Sequence, residues 1–488
     1  MDLVANASIT VFSPNQYALN ETLMLKARVE EFAAQVDAFF TSIMGIIVII
    51  LHLGFGYLEA GSVRSKNATS VMMKNMLDLF LGAFGYWIVG YTLAYGRGSS
   101  FLGMYPYIAG QRLTQEFQYS NWFIQFSYAA TASSIISGVI VERCSFVAYL
   151  IYSFLTTAVT YPIVSHWAWT SEGWLNVLGF KDFAGSGVVH MCGGACAIMA
   201  CVIIGPRYGK YPRKGEPALD SSEFESHNIP VLGLGAMILF VGFLAFNGGA
   251  VLHISKTGDG ELVAKIIINT ILSGAGGAMG GLIAARVGLI GGKRWWSYLH
   301  AVNGGLFGMV SVCANCDTVD IWAAWLIALC GGPIYSVIIK ILEKLEIDDP
   351  LNAIAVHFGG GLWGLLASSV LRDDALSDKI KAGQFLAYNC IGALAITAWS
   401  MAMTAVIFMF LKYTGILRPS EDEEILGMDL ATHEEPAYRF KSLDFSTSSE
   451  GDGCSPPGSI SGQEGPSTRH KSSQANLTDP FLTSTRQV

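Results

Sequence analysis

Two histidines set in apolar sequence are the residues most able to do chemistry. His190 lies in the run VVHMCGGACAI, with no charged residue again before Arg207. His357 lies in AVHFGGG. Each histidine follows a valine, precedes a glycine run, and stands eight residues after an aspartate, Asp182 or Asp349. A neutral imidazole donates from one nitrogen and accepts at the other. Two facing imidazoles would share a proton and form a polar line through an apolar passage. Histidine titrates near neutral pH, and an ionisable group within a membrane span is a functional candidate by default. Either histidine alone is slightly better explained by a bond to a backbone carbonyl; the matched pair favours function. Asp182 and Asp349 stand where their segments begin. A carboxylate there accepts from the orphan N–H groups of a first turn. That structural role is expected of both, ahead of direct cation binding, and Pro350 suits a first helical position.

Aromatic residues supply a second chemistry. The run His166-Trp167-Ala168-Trp169 stands at the end of an apolar segment. An indole face is the best cation–π partner among side chains, although tryptophans are also common at membrane interfaces. Phe243 and Phe246 are three apart and precede Gly248-Gly249, so their rings could plug a narrow lumen with Tyr128 opposite. Core packing is the plainer role for any one of these rings.

The elements that position these residues are membrane spans. The chain has 488 residues, 52% hydrophobic and 14% charged, against about 25% charged in soluble domains. Each span needs about 20 mainly apolar residues. Eleven are expected, near 36–59, 76–96, 121–141, 146–165, 184–204, 231–251, 262–285, 299–316, 321–342, 352–370 and 385–413. The class is therefore an all-α polytopic membrane protein, and an odd number of spans puts the termini on opposite sides. Arg64, Lys66, Arg143, Arg207, Lys210 and Lys214 fall in loops on one side, which outweighs the Lys and Arg content of the other. By the positive-inside rule that side is cytoplasmic, with the N-terminus outside. Sequons at Asn6 and Asn20 agree, and glycosylation is expected there. No cleavable signal peptide is expected at the N-terminus. The formal net charge of −8 lies largely in the tails and suggests no nucleic-acid partner. The cysteines are scattered, with a single CxxC at Cys313–Cys316, so neither a metal nor another cofactor is expected. No nucleophile–base set stands out, so the chain is not expected to be an enzyme.

The two halves look related. GF…EAGSV at 54–63 parallels GF…NGGAV at 242–251, and His190 in the fifth span parallels His357 in the tenth. A five-span unit repeated once is inverted, because five is odd. Inverted repeats place a transport site between the halves near the bilayer midplane, and the eleventh span is then extra. The expected organisation is an extracellular segment at 1–35, a membrane domain at 36–413, a cytoplasmic regulatory segment at 414–444 and a disordered tail at 445–488.

On these residues the chain resembles the ammonium transporter family, and its Amt branch more than the Rh proteins. The matching text is GYLEAGSVRSKN…MMKNMLDL at 56–79, SGVIVER at 137–143, HWAW…DFAGSGVVHMCGG at 166–194, FNGGA at 246–250, DDPLNAIAVHFGG at 348–360 and GMDLATH at 427–433. The resemblance covers about 35 to 440. It implies a cell-membrane homotrimer in the lipid bilayer, each protomer with its own narrow pore for ammonium or ammonia, and methylammonium as a small analogue. It implies that Trp169 receives ammonium at an outer vestibule, that Tyr128 and Phe246 form stacked gates with Phe243 beside them, and that His190 and His357 are the pore's twin histidines. Asp182 matches the family's structural aspartate. The segment with Gly427, Asp429 and Thr432 resembles a regulatory tail that touches a neighbouring subunit. Three positions depart from the pattern. Tyr128 replaces the usual phenylalanine, which would put a hydroxyl in the vestibule or gate. Ala250 stands where a serine commonly binds the recruited cation. Ala431 stands where plant-type members carry a regulatory threonine. The function so implied is capture of NH4+, deprotonation and conduction of NH3, with the proton relayed by the histidines. An ammonium sensor with little flux is the alternative. A pore for neutral gases such as CO2 has no use for a cation site at Trp169.

Overall fold

The computed structural model describes residues 14–438, apart from 111–118, 213–218 and 293. Asn6 and the tail expected at 445–488 lie outside the described residues. Among the described residues helices dominate, and one short hairpin pairs β1 (Arg97–Gly98) with β2 (Gly103–Tyr105). In order the helices are α1 (Pro14–Ser62), α2 (Ala68–Gly85), α3 (Tyr91–Tyr95), α4 (Tyr119–Ile140), α5 (Phe146–Leu155), α6 (Tyr161–Trp169), α7 (Trp174–Leu178), α8 (Cys192–Ile204), α9 (Ile229–Gly249), α10 (Asp259–Arg286), α11 (Tyr298–Val312), α12 (Ile321–Lys344), α13 (Gly360–Leu371), α14 (Asp373–Ser377), α15 (Lys379–Tyr413), α16 (Glu421–Leu426) and α17 (Met428–Ala431). Wide π-helical turns join α2 to α3 and α5 to α6, and lead into α8 and α13.

Among the described residues, ten helical stretches are long and apolar enough to cross a membrane. The expected segment near 299–316 is the one that falls short, because α11 has only 15 residues. It is nonetheless buried between α10 and α12. A Cβ on Gly277 of α10 would lie 2.1 Å from the Gly304 carbonyl of α11, so the two backbones are in direct contact. Small residues are what permit such contacts between helices in lipid.

Two boundaries differ from expectation. The first helix starts at Pro14 rather than near 36, so 14–35 is a continuous helical extension of the first span. Charges at Lys26, Arg28, Glu30 and Glu31 end the hydropathy signal there but are good helix formers. Asn20 is exposed on this helix rather than in a loop. Pro350 does not open a helix: it lies in a turn, and the following helical segment starts at Ile354.

The loops that follow α1, α4, α8 and α12 are tied by a buried ion network. Arg207 donates to Asp348 (Nε–Oδ2 2.8 Å) and to Glu142 (Nη1–Oε1 3.0 Å). Glu142 also pairs with Arg64 and accepts from the Asn67 amide at 3.0 Å. Arg143 donates to the Asp348 carbonyl at 2.6 Å. These groups explain why SGVIVER and DDPLNA, far apart in sequence, carry their charges. Burial opposes ionisation of Asp348, but Arg143 and Arg207 together hold its carboxyl well below the usual carboxylate range. Removing one member of a buried pair strands its partner, at about 3–5 kcal/mol.

Asp348→Ala should therefore lower the midpoint of thermal unfolding in detergent and reduce surface delivery. A depressed carboxylate contributes stability that is fully present above its unfolded pKa of about 4 and is lost as pH falls further towards the folded value. Acid titration of the purified protein should show the Asp348→Ala deficit shrinking only below that point.

Candidate functional site

Glycine runs after each histidine bring the two π-helical turns together. The turn Ser186–Met191 carries His190, and the turn Ile354–Gly359 carries His357. A Cβ on Gly194 would lie 2.4 Å from the Phe358 nitrogen, and one on Gly361 would lie 2.3 Å from the Ser186 carbonyl. Each segment's glycine thus admits the other segment's backbone. The aspartates hold the entries to both turns. Asp182 accepts from the N–H groups of Gly185 (3.1 Å), Gly187 (2.8 Å) and Val188 (2.8 Å). Asp349 accepts from Ala353 (3.0 Å) and Ile354 (2.7 Å). In both loops the residue three beyond the aspartate has a left-handed backbone, Gly185 at φ 100° and Asn352 at φ 58°. Burial lifts the carboxyl of each to about 6, while the backbone N–H groups favour ionisation. Neither loop is a simple first-turn cap, since the carboxylates reach four to six residues ahead as well.

The rings form a continuous column. Trp169 and Tyr128 lie 5.9 Å apart between centroids, and Tyr128 meets Phe246 edge-on at 4.6 Å. Phe246 lies 5.2 Å from His190, which lies 5.3 Å from His357 with the ring planes 16° apart. The two Nδ1 atoms are 3.2 Å apart, so an N–H of one ring donates to the lone pair of the other. His190 Nε2 is buried and has no protein partner among the described residues. Phe55 of α1 follows at 6.1 Å from His357. A column of this kind offers a ring face at one end, a narrow apolar middle and one shared proton.

Several expected site residues take specific places. The Trp169 indole N–H donates to the Asp182 carbonyl at 2.8 Å, which fixes the ring. Trp169 lines a depression of about 370 Å³ together with Asp182, Lys181, Asn315, Asp317 and Arg372. Ala250 is not among the residues lining it. The Tyr128 hydroxyl does not stand free in the column. It donates to the Phe246 carbonyl at 3.0 Å, one of the last carbonyls of α9 that lack a helical partner. Phe243 stacks on His190 at 5.4 Å instead of facing Tyr128. His166 and Trp167 are structural: the His166 ring nitrogens each lie 2.8 Å from a carbonyl, of Ala94 and Ser99, and Trp167 donates to Phe101. In the tail, Asp429 accepts from Thr69 (3.1 Å) and Ser70 (2.8 Å), capping α2 of its own chain. Gly427 has φ 101° and packs on Lys66, while Thr432 is exposed.

Sequence reasoning missed Phe55 and Asp317. Phe55 belongs to the GF pair that repeats at 242–243, which is a usable signal. Asp317 gave none, since only the folded chain sets it in the same depression as Trp169.

The fold and this column define a multi-pass α-helical membrane transporter rather than an enzyme. The Ammonium Transporter Family model matches residues 38–438, and the chain belongs to that family. The chain is 41% identical over 433 residues to "Putative ammonium transporter 1" of Caenorhabditis elegans, covering 84% of this chain and 80% of that protein. It is 34% identical over 418 residues to ammonium transporter 1 member 1 of Arabidopsis thaliana, covering 78% and 81%. Among solved structures it is similar to one described as "Sensor Amt Protein", with TM-score 0.76, 28% identity, and coverage of 83% and all of that chain (100%). The fold is also similar to Saccharomyces cerevisiae Mep2, with TM-score 0.67, 22% identity, and coverage of 80% and 88%.

Tyr128→Phe should leave the Phe246 carbonyl buried and unpaired, at a cost of about 1–3 kcal/mol. The purified variant should melt lower while keeping its uptake activity. Gly194→Ala overpacks the crossing of the two turns, at about 1–3 kcal/mol. It should reduce uptake more than Tyr128→Phe does at equal surface level, because it moves the histidines themselves.

Proposed function

We propose that this ammonium transporter captures NH4+ at an outer vestibule beside Trp169, removes its proton, and conducts NH3 past Tyr128, Phe246 and the twin histidines. His190 and His357 relay the proton, so the net substrate is NH4+. The observation that carries this reading is the unbroken run of rings ending on two imidazoles with Nδ1 atoms 3.2 Å apart. A bare ammonium ion crossing an apolar tube loses its hydration, and ring faces offset only part of that cost. A neutral NH3 avoids it, and the shared imidazole proton offers the charge a separate route. Trp169 supplies the cation–π face, and backbone oxygens take the place of the serine that Ala250 lacks. The protein would act in the cell membrane as a homotrimer, with the N-terminus outside, Asn6 and Asn20 open to glycosylation, and the tail bearing Asp429 in the cytoplasm.

A sensor with little flux is the second reading. It is favoured by the similarity to the structure described as "Sensor Amt Protein" and by the tail's docking on α2.

Whole-cell current measured against uptake of labelled methylammonium tests the first reading. One charge should enter per molecule taken up. Uptake without charge movement would leave the histidine relay untenable. Expression in yeast lacking ammonium uptake should restore growth on low ammonium; no growth, with the protein at the surface, would favour the sensor. Trp169→Leu should raise the concentration for half-maximal uptake about tenfold, the loss of roughly 1–2 kcal/mol of cation–π attraction.

A further inference from the structure

Beyond His357 the column opens onto a cavity of about 20 Å³, close to the room one water needs. Its wall is mixed. Phe55 and Ile135 are apolar, whereas His357, Glu59, Ser134 and Asn303 bring polar groups. Glu59 stands one helical turn after Phe55 on α1, so both face the same side. It is 1% exposed. One of its oxygens accepts from the Ser137 hydroxyl and the other from the Asn75 amide at 2.8 Å. Among the described residues no cation pairs with it, since Lys74 nearby donates instead to the Cys144 carbonyl at 2.8 Å. The neighbouring carboxylate, Asp78, accepts from three hydroxyls, of Ser133 (2.7 Å), Ser134 (2.7 Å) and Ser153 (2.5 Å), one more bond than Glu59 accepts. A carboxylate has about four lone-pair sites, so Glu59 keeps acceptor capacity towards the cavity it shares with the last imidazole. Packing alone gives no reason for a carboxylate here, because an apolar side chain would fill the position without burying an acid.

We propose that Glu59 is the inner proton acceptor of the pore. The assignment rests on the proton relay advanced above. The arriving proton is taken up at His190 Nε2, and the Nδ1 proton of His190 passes to Nδ1 of His357. The N–H bond at the cavity-facing nitrogen of His357 breaks, and an O–H bond forms on Glu59, directly or through one water in the cavity, so both rings stay neutral. The protonated Glu59 then gives this proton to the NH3 that has passed the histidines. That NH3 leaves as NH4+, and the carboxylate is restored. No redox partner or further reactant is involved, and one NH3 and one proton arrive for each NH4+ taken up.

The test uses the full chain in whole cells, with current and labelled methylammonium uptake read together at matched surface level. Wild type carrying no charge per molecule would sink the relay itself, whatever Glu59 does. With charge present in wild type, Glu59→Gln preserves the shape and the Ser137 contact but cannot take a proton. Its current-to-uptake ratio should fall by about a hundredfold, the scale of a lost general acid–base group. A ratio equal to wild type, including a parallel fall of both quantities, would make Glu59 structural and overturn the proposal. Glu59→Asp keeps the acid but retracts it by one methylene, and should lower the ratio only partly. If the glutamine variant fails to reach the surface, an unchanged ratio in Glu59→Asp overturns the proposal by itself.

Discussion

The hydrogen bond between two buried imidazoles is the interaction on which the rest of the molecule depends. Each ring lies in an apolar interior, where an unpaired polar group is costly. The Nδ1 atoms answer one another at 3.2 Å, so one shared proton satisfies both inner nitrogens. That geometry tolerates little error. Two helical segments from opposite halves of the chain must meet with their backbones in contact, and their first turns must be wide enough to aim both rings at one line. Gly194 and Gly361 meet the first requirement by reciprocal close approach, and the π-helical turns meet the second.

The aspartates work at the next level. Asp182 and Asp349 bind the backbone N–H groups that a widened helical start leaves free. The left-handed residues Gly185 and Asn352 make the turn that lets each carboxylate reach them. Asp182 does a second task, because its carbonyl also receives the Trp169 indole. One loop therefore positions one of the paired histidines and the ring at the other end of the column. On the opposite face of the membrane domain, Asp348, next to Asp349, joins the ion network of Arg207, Glu142 and Arg64. The second histidine's loop is thereby fastened to three other loops.

The aromatic part of the column shows how a substitution can be absorbed. A hydroxyl at position 128 would add a polar group to an apolar stretch of the column. Here the Tyr128 hydroxyl donates to the Phe246 carbonyl near the end of α9, so the two rings meet at 67° with no free hydroxyl between them. The ring is thus held by a hydrogen bond as well as by contact.

Much of this was legible in the chain before folding. Apolar runs of span length, broken by loops with more Lys and Arg on one side, specify a polytopic helical membrane protein. The lipid leaves the backbone no other way to satisfy its hydrogen bonds within a single span. The equal Asp–His spacing of Asp182–His190 and Asp349–His357 marked a repeated device. It follows from local geometry, since loop, turn and ring lie within nine residues. Tertiary structure alone decided the rest. It set the histidines nitrogen to nitrogen, turned Phe243 onto His190, gave the Tyr128 hydroxyl to Phe246, and joined Glu59 to the cavity below His357. Helix length, too, escaped the hydropathy pattern: α1 runs back to Pro14 through charged residues, and α11 spans only Tyr298–Val312. Each of these depends on partners far away along the chain. Periodicity tells which face of a helix is buried, but only packing in three dimensions says what that face meets.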